Sequence, residues 1–133
     1  EKLEQLPNVV MKGAFSSFYA IPLAEYAAFL YTSKMDGLPN VLLEAGEAGM
    51  PIVGSVVGGI GDFLTEETGW PIPSNDPADF IAALEEVLSH PEVAAARGRN
   101  ARNLVHQRHS EEAFWNNLCE LYGFEYSNID KDK

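Results

Sequence analysis

Two acids frame the stretch of this sequence best suited to chemistry, Asp36-Gly37-Leu38-Pro39-Asn40-Val41-Leu42-Leu43-Glu44. Pro39 fits the first position of a helix, where its missing N–H costs no helical bond. The first turn of such a helix offers free backbone N–H groups and the positive end of the dipole, a ready site for phosphate. Gly37 lets the preceding loop approach a ligand closely or take a positive φ. Glu44 lies just over one turn in, and helical side chains lean back toward the N-terminus. Its carboxylate is therefore expected beside the same cup, which Asp36 flanks from the loop. Acids at both ends and backbone donors between them suit a ligand with hydroxyls at its ends and phosphates in the middle, the shape of a nucleoside diphosphate sugar. A plainer reading is available, because an acid near a helix start is often only a dipole partner and Asp-Gly is a common turn. Spacing alone does not choose between them.

The elements that would position these residues alternate in type. Val9-Val10-Met11, closed by Lys12-Gly13, reads as a short buried strand. Residues 21–26 read as one or two helical turns, and Phe29-Leu30-Tyr31-Thr32-Ser33 as the next strand, apolar on both faces as parallel strands are. The helix opened by Pro39 runs to about Ala48, with Gly49 as its stop signal. A strand over 51–57 follows and leads into Gly58-Gly59-Ile60-Gly61, and Gly69-Trp70-Pro71-Ile72 is a candidate fourth. The period then changes: Asp76 caps a helix with Pro77 at its first position, carrying Phe80, Ile81, Leu84, Val87 and Leu88 at helical spacing. A second helix spans about 92–107. A third starts at Ser110 and carries Phe114, Leu118, Leu121 and Tyr122 on one face. The expected fold class is α/β, a Rossmann-like parallel sheet with flanking helices. Such sheets bring ligands to the carboxyl ends of their strands. Residues 1–126 form the domain with its late helices in this reading, and 127–133 a polar tail.

Composition narrows the function further. The 133 residues make one globular domain, 46% apolar and 11% aromatic, with no apolar run near the ~20 residues of a membrane-spanning helix. The abrupt, charged start at Glu1 resembles the interior of a longer protein and is unlike a signal peptide. One cysteine, Cys119, excludes an internal disulfide and fits a reducing compartment, with the cytoplasm as the default. A net charge of −11 argues against nucleic acid as a partner. From Met35 to Ala96 there are eleven acids and no Lys or Arg, after which Arg97, Arg99, Arg102 and Arg108 arrive together. Most such clusters are a solvated helix face, with docking onto another domain or an anionic membrane as the less favoured reading.

The residues Asp36 to Ala45 resemble the acid-Gly-x-Pro-x-x-x-x-Glu-Ala segment of GT-B-fold glycosyltransferases, group one, family four, in which two acids separated by seven residues bind the sugar donor. Met50-Pro51-Ile52-Val53-Gly54 and Gly58-Gly59-Ile60-Gly61-Asp62 are similar to the strand and Gly-Gly loop that follow in that family. Gly69-Trp70-Pro71-Ile72-Pro73, Asp76, the late helices and the Leu121-Tyr122 ending fall in the same order, so the resemblance covers about Val9 to Tyr122. It implies a partial GT-B C-terminal domain that binds a nucleoside diphosphate sugar for retaining, metal-independent transfer to an acceptor it does not name. Glu44 would hold the ribose hydroxyls, and Asp36, the one catalytic candidate, the transferred sugar. Gly37, Leu38, Pro39, Asn40 and Val41 would line the sugar and diphosphate. Gly58 and Gly59 are expected chiefly to shape the turn. No cofactor is implied, and no metal. The family usually carries Glu where this sequence has Asp36. Its diphosphate-binding Arg and Lys belong to an upstream segment, so the isolated chain is expected to be inactive and the full protein to supply that segment. Peripheral membrane association of the full protein is a further expectation. Rival readings are a non-catalytic sugar-nucleotide-binding module or inactive homologue, an epimerase or phosphorylase of related fold, and a flavodoxin-like interaction domain. His90, His106 and His109 form no recognisable ligand set, and Asp130-Lys131-Asp132 sits in the polar tail.

Overall fold

The computed structural model describes residues 3–123. Three parallel strands, β1 (Phe29–Tyr31), β2 (Ile52–Ser55) and β3 (Trp70–Ile72), stand in the order β1-β2-β3. Phe29 pairs with Ile52, and Val53 with Trp70. Four α-helices flank them: α1 (Asn40–Glu47), α2 (Pro77–Ser89), α3 (Pro91–Arg108) and α4 (Glu111–Tyr122). This is the expected α/β arrangement.

Central β2 explains the layering. All four of its residues are buried, as a strand covered on both faces requires. Ile52 joins a core with Phe18, Leu42, Ala45, Phe63, Ala101 and Val105, which α1 and the later part of α3 fill. Its neighbour Val53 joins a second core with Trp70, Phe80, Ala83, Val87 and Ala94, which α2 and the start of α3 fill. The period-two alternation of β2 thus divides its side chains between the two layers.

Local signals set the helix ends. Pro39 is the N-cap of α1, one residue before the helix proper. Gly49 ends α1 at φ 73°, with Gly49 N–H bonded to Gly46 O at 2.8 Å and Met50 N–H to Ala45 O at 3.0 Å. That paired closure is the Schellman motif, which needs a left-handed residue where Gly49 stands. Asp76 caps α2 by accepting from Ala78 N–H at 2.9 Å, and Ser110 caps α4 by accepting from Ala113 N–H at 3.1 Å.

Three expectations need correction. Val9-Val10-Met11 forms no strand; nothing pairs with it, and Val10 is 72% exposed. Its β-branched residues lack the pleated, half-buried surface on which strand preference depends. The apolar face of α4 is helical as expected but covers no core: α4 has no buried residue, and Leu121 is 75% exposed. Arg97 does not sit on a solvated face either. Its guanidinium lies 4.3 Å over the Trp70 ring, donates to Gly69 O at 3.0 Å and pairs with Glu86 at 3.7 Å. It therefore pins β3, α2 and α3 together, combining a cation–π contact with a hydrogen bond. The expected tail at 127–133, with Asp130-Lys131-Asp132, lies outside the described residues.

Candidate functional site

Three loops leave the carboxyl end of the sheet: 32–39 after β1, 56–62 after β2 and 73–76 after β3. The first two are tied at their roots. Ser33 N–H donates to the hydroxyl of fully buried Ser55 at 3.2 Å, so the ends of β1 and β2 are held in step. Beyond that tie the loops touch through their backbones. Gly58 adopts φ 54°, and a Cβ there would overlap the Asp36 carbonyl oxygen. A Cβ on Gly59 would lie 3.6 Å from the Gly37 carbonyl carbon and 3.7 Å from Leu38 N. The glycine pair thus backs the Asp36-Gly37-Leu38 loop, a contact only glycine permits at Gly58.

That loop delivers the chain into α1 with its first turn open. Leu42 N–H bonds Pro39 O at 3.0 Å, and Pro39 caps nothing with its side chain. The N–H groups of Asn40 and Val41 have no partner among the described residues, the expected state of a helix start awaiting an acceptor. What this turn offers an anion is these amides and the helix dipole, with Lys34 the one cation of the 32–39 loop.

The two acids sit differently. Asp36 is exposed, and both of its carboxylate oxygens are engaged: Gly37 N–H donates to Oδ1 at 2.8 Å, and the Tyr31 hydroxyl donates to Oδ2. The bond to Asp36, then desolvation, then the carboxylate's charge raise the Tyr31 pKa above its ordinary value. Glu44 is half-buried on α1, and its carboxylate accepts no hydrogen bond from any described residue. It lies close enough to Tyr19 for its charge to raise that phenol, an effect secondary to the hydrogen bond Tyr19 donates to Glu47. Asp36, Gly37 and Leu38 are therefore gathered against Gly58 and Gly59, Asn40 and Val41 form the open turn, and Glu44 stands free on the following turn.

Sequence reasoning missed Tyr31 and Tyr19. The available signal for Tyr31 was its place two residues after Phe29, on one face of a strand that ends beside Asp36. A cavity of about 470 Å³ borders the loop through Ser33, Lys34, Asn75 and Pro77. Among the described residues, no group of three His, Cys, Asp or Glu side chains is placed to hold a metal. No helix is long and apolar enough to cross a membrane, again among the described residues.

Comparison with known proteins places this geometry. The family model described as glycosyl transferases group 1 matches residues 1–104. A capsular polysaccharide biosynthesis glycosyltransferase, CapM of Staphylococcus aureus, is 26% identical over 124 residues, covering 90% of this chain and 32% of that protein. A glycogen synthase of Mycobacterium tuberculosis is 37% identical over 103 residues, covering 71% of this chain and 24% of that protein. The solved structure of a sucrose-phosphate synthase from Thermosynechococcus elongatus superposes with a TM-score of 0.63 at 30% identity, covering 75% of this chain and 26% of that one. The chain thus spans about a third or less of the length of each of these proteins.

Proposed function

The chain belongs to the glycosyl transferases group 1 family, and from that premise we propose that it holds a nucleoside diphosphate sugar, as the donor-binding part of a retaining, metal-independent glycosyltransferase. The observation that carries this reading is the open first turn of α1, backed by the Gly58-Gly59 loop, with Asp36 in the loop before it and Glu44 on the following turn of the helix. The free amides of Asn40 and Val41 would meet the diphosphate. Glu44, with no other hydrogen-bond partner among the described residues, would accept from the ribose hydroxyls. Asp36, on the loop side, would meet hydroxyls of the transferred sugar. As the bond to the sugar breaks, negative charge grows on the diphosphate, and fixed donors stabilise it without reorganising. The acceptor and the residues that activate it belong to the rest of the protein in this reading, which also supplies the Arg and Lys for the diphosphate. A cytoplasmic location, with peripheral attachment of the whole protein to a membrane, fits the same proposal.

Asp36→Asn tests the division of labour. The amide keeps an acceptor for Gly37 N–H, so the loop is expected to hold. In the whole protein, turnover of the sugar nucleotide is expected to fall while affinity for the free nucleoside diphosphate stays nearly unchanged. Equal weakening of both ligands would reduce Asp36 to a loop-shaping role.

A second reading is a sugar-nucleotide-binding module without transfer, and under either reading the stretch from Met35 to Ala96 holds eleven acids and no cation to meet a diphosphate. Transfer of radiolabelled sugar by the whole protein separates enzyme from binder. The same shortage sets an expectation for this chain alone. The dipole of an exposed helix start offers about 0.3–1 kcal/mol, rising to ~2 when partly buried. A millimolar dissociation constant needs about 4 kcal/mol. Titrated by itself, the chain is expected to bind nucleoside diphosphate sugars no tighter than millimolar and to transfer nothing. Micromolar binding would show that the pocket is complete without further cations.

A further inference from the structure

We propose that Tyr31 is a specificity-determining residue of the sugar subsite, its phenol oxygen standing beside the Asp36 carboxylate as a second acceptor for hydroxyls of the transferred sugar. The proposal rests on the donor-site reading above and adds a residue to it.

The phenol is held from several sides. Tyr31 is the last residue of β1 and half-buried. Its ring stacks on Phe29 at 6.5 Å and 21°, and Phe29 in turn meets buried Phe18 edge-on at 5.7 Å. Behind it, a Cβ on Gly54 of β2 would already lie 3.5 Å from the Tyr31 Cβ. The ring therefore has little freedom, and its hydroxyl stays at the carboxyl end of the sheet.

Proton accounting then defines what the pair can recognise. The hydroxyl has one proton and gives it to Asp36 Oδ2, while Gly37 N–H occupies Oδ1 at 2.8 Å. A phenol oxygen that has donated keeps lone pairs and can only accept. Each carboxylate oxygen also retains acceptor capacity beyond the bond it already makes. The pair itself is left with two neighbouring acceptors and no proton to offer outward, and the Ser33 hydroxyl beside the Tyr31 phenol gives its proton to Met35 O at 3.1 Å. Such a pair suits adjacent hydroxyl donors, as on an unmodified hexose, and has no donor for a sugar that presents only acceptors. The carboxylate is also clamped on both oxygens, so it meets the ligand without losing rotational freedom on binding.

The test is calorimetry on the whole protein with UDP, ADP and GDP and with their glucose conjugates. In wild type, the glucose conjugate of the accepted nucleotide should bind more tightly than the free diphosphate. Tyr31→Phe keeps the ring stack and removes only the hydroxyl. It is expected to shrink that preference by about tenfold, the worth of one good hydrogen bond, with free diphosphate affinity unchanged within about twofold. Adding Asp36→Asn to Tyr31→Phe should reduce the preference by less than the two separate losses combined. As an independent check, the Tyr31 phenol should titrate at lower pH in Asp36→Asn than in wild type. An unchanged preference in Tyr31→Phe, or equal weakening of both ligands, overturns the role of Tyr31 and leaves the donor site standing. Failure of every diphosphate and conjugate to bind wild type overturns the donor site, and this proposal with it.

Discussion

Gly98→Ala is expected to lower the melting temperature by about 8 °C, through a collision that no side chain can relieve. Gly98 lies where α3 crosses the end of α1. A Cβ there would overlap the Gly49 carbonyl oxygen and stand 3.0 Å from its carbon, and both obstacles are backbone. Gly49 cannot move aside easily, because its left-handed conformation closes the Schellman turn. The same crossing also passes Gly46, where a Cβ would meet the Phe63 ring at 2.6 Å and Val105 at 3.2 Å. Overpacking of this kind costs about 3 kcal/mol or somewhat more, against about 1 kcal/mol regained from alanine's better helix propensity. The net loss of about 2 kcal/mol corresponds to roughly 8 °C in a domain of this size. Thermal unfolding of Gly98→Ala beside Arg99→Ala, an exposed neighbour expected to stay within about 0.5 kcal/mol of wild type, checks it. A Gly98→Ala protein that melts with wild type would mean that the helices do not cross this closely.

Glu44→Gln is expected to weaken donor binding by the whole protein about tenfold or more while the melting temperature holds. The substitution preserves shape and removes charge. Glu44 accepts no hydrogen bond from a described residue, so the fold loses little when its charge is removed. In the proposed donor site the ligand would lose charge-assisted bonds to the ribose, worth about 1.5–3 kcal/mol. Calorimetric titration beside thermal unfolding separates the outcomes. Unchanged affinity would remove Glu44 from the site. Lost stability with unchanged affinity would make it a partner of the helix dipole.

The two variants also mark what the residues disclosed before the fold was known. The alternation of strands and helices, the helix opened at Pro39, the stop at Gly49 and the caps at Asp76 and Ser110 are local events, written in the residues that make them. Each appears in the structure within a residue or two of its signal. What failed was what depends on partners. Val9-Val10-Met11 has strand composition but no strand beside it. The α4 stripe has helical spacing but covers no core. Arg97 looked like one of four solvated arginines until Trp70, Gly69 and Glu86 gathered around it from distant parts of the chain. At the site, the motif named the backbone cup but gave no hint that Gly58 would press on the Asp36 carbonyl, or that Tyr31 would occupy Asp36. Those contacts join β1, its loop and the loop after β2, and no single window of sequence contains them.

The proposed donor site puts a nucleoside diphosphate sugar on the first turn of α1, between the Asp36 loop and Glu44. Amide chemical-shift mapping of this chain, with UDP-glucose, ADP-glucose and GDP-glucose each raised to tens of millimolar, tests it most directly. At least one of the three is expected to shift the amides of Gly37, Leu38, Asn40 and Val41 most, with those of Gly58 and Gly59 following through the backbone contact. Shifts centred away from the 32–39 loop and α1, or an unmoved first turn of α1 with all three, would contradict this placement.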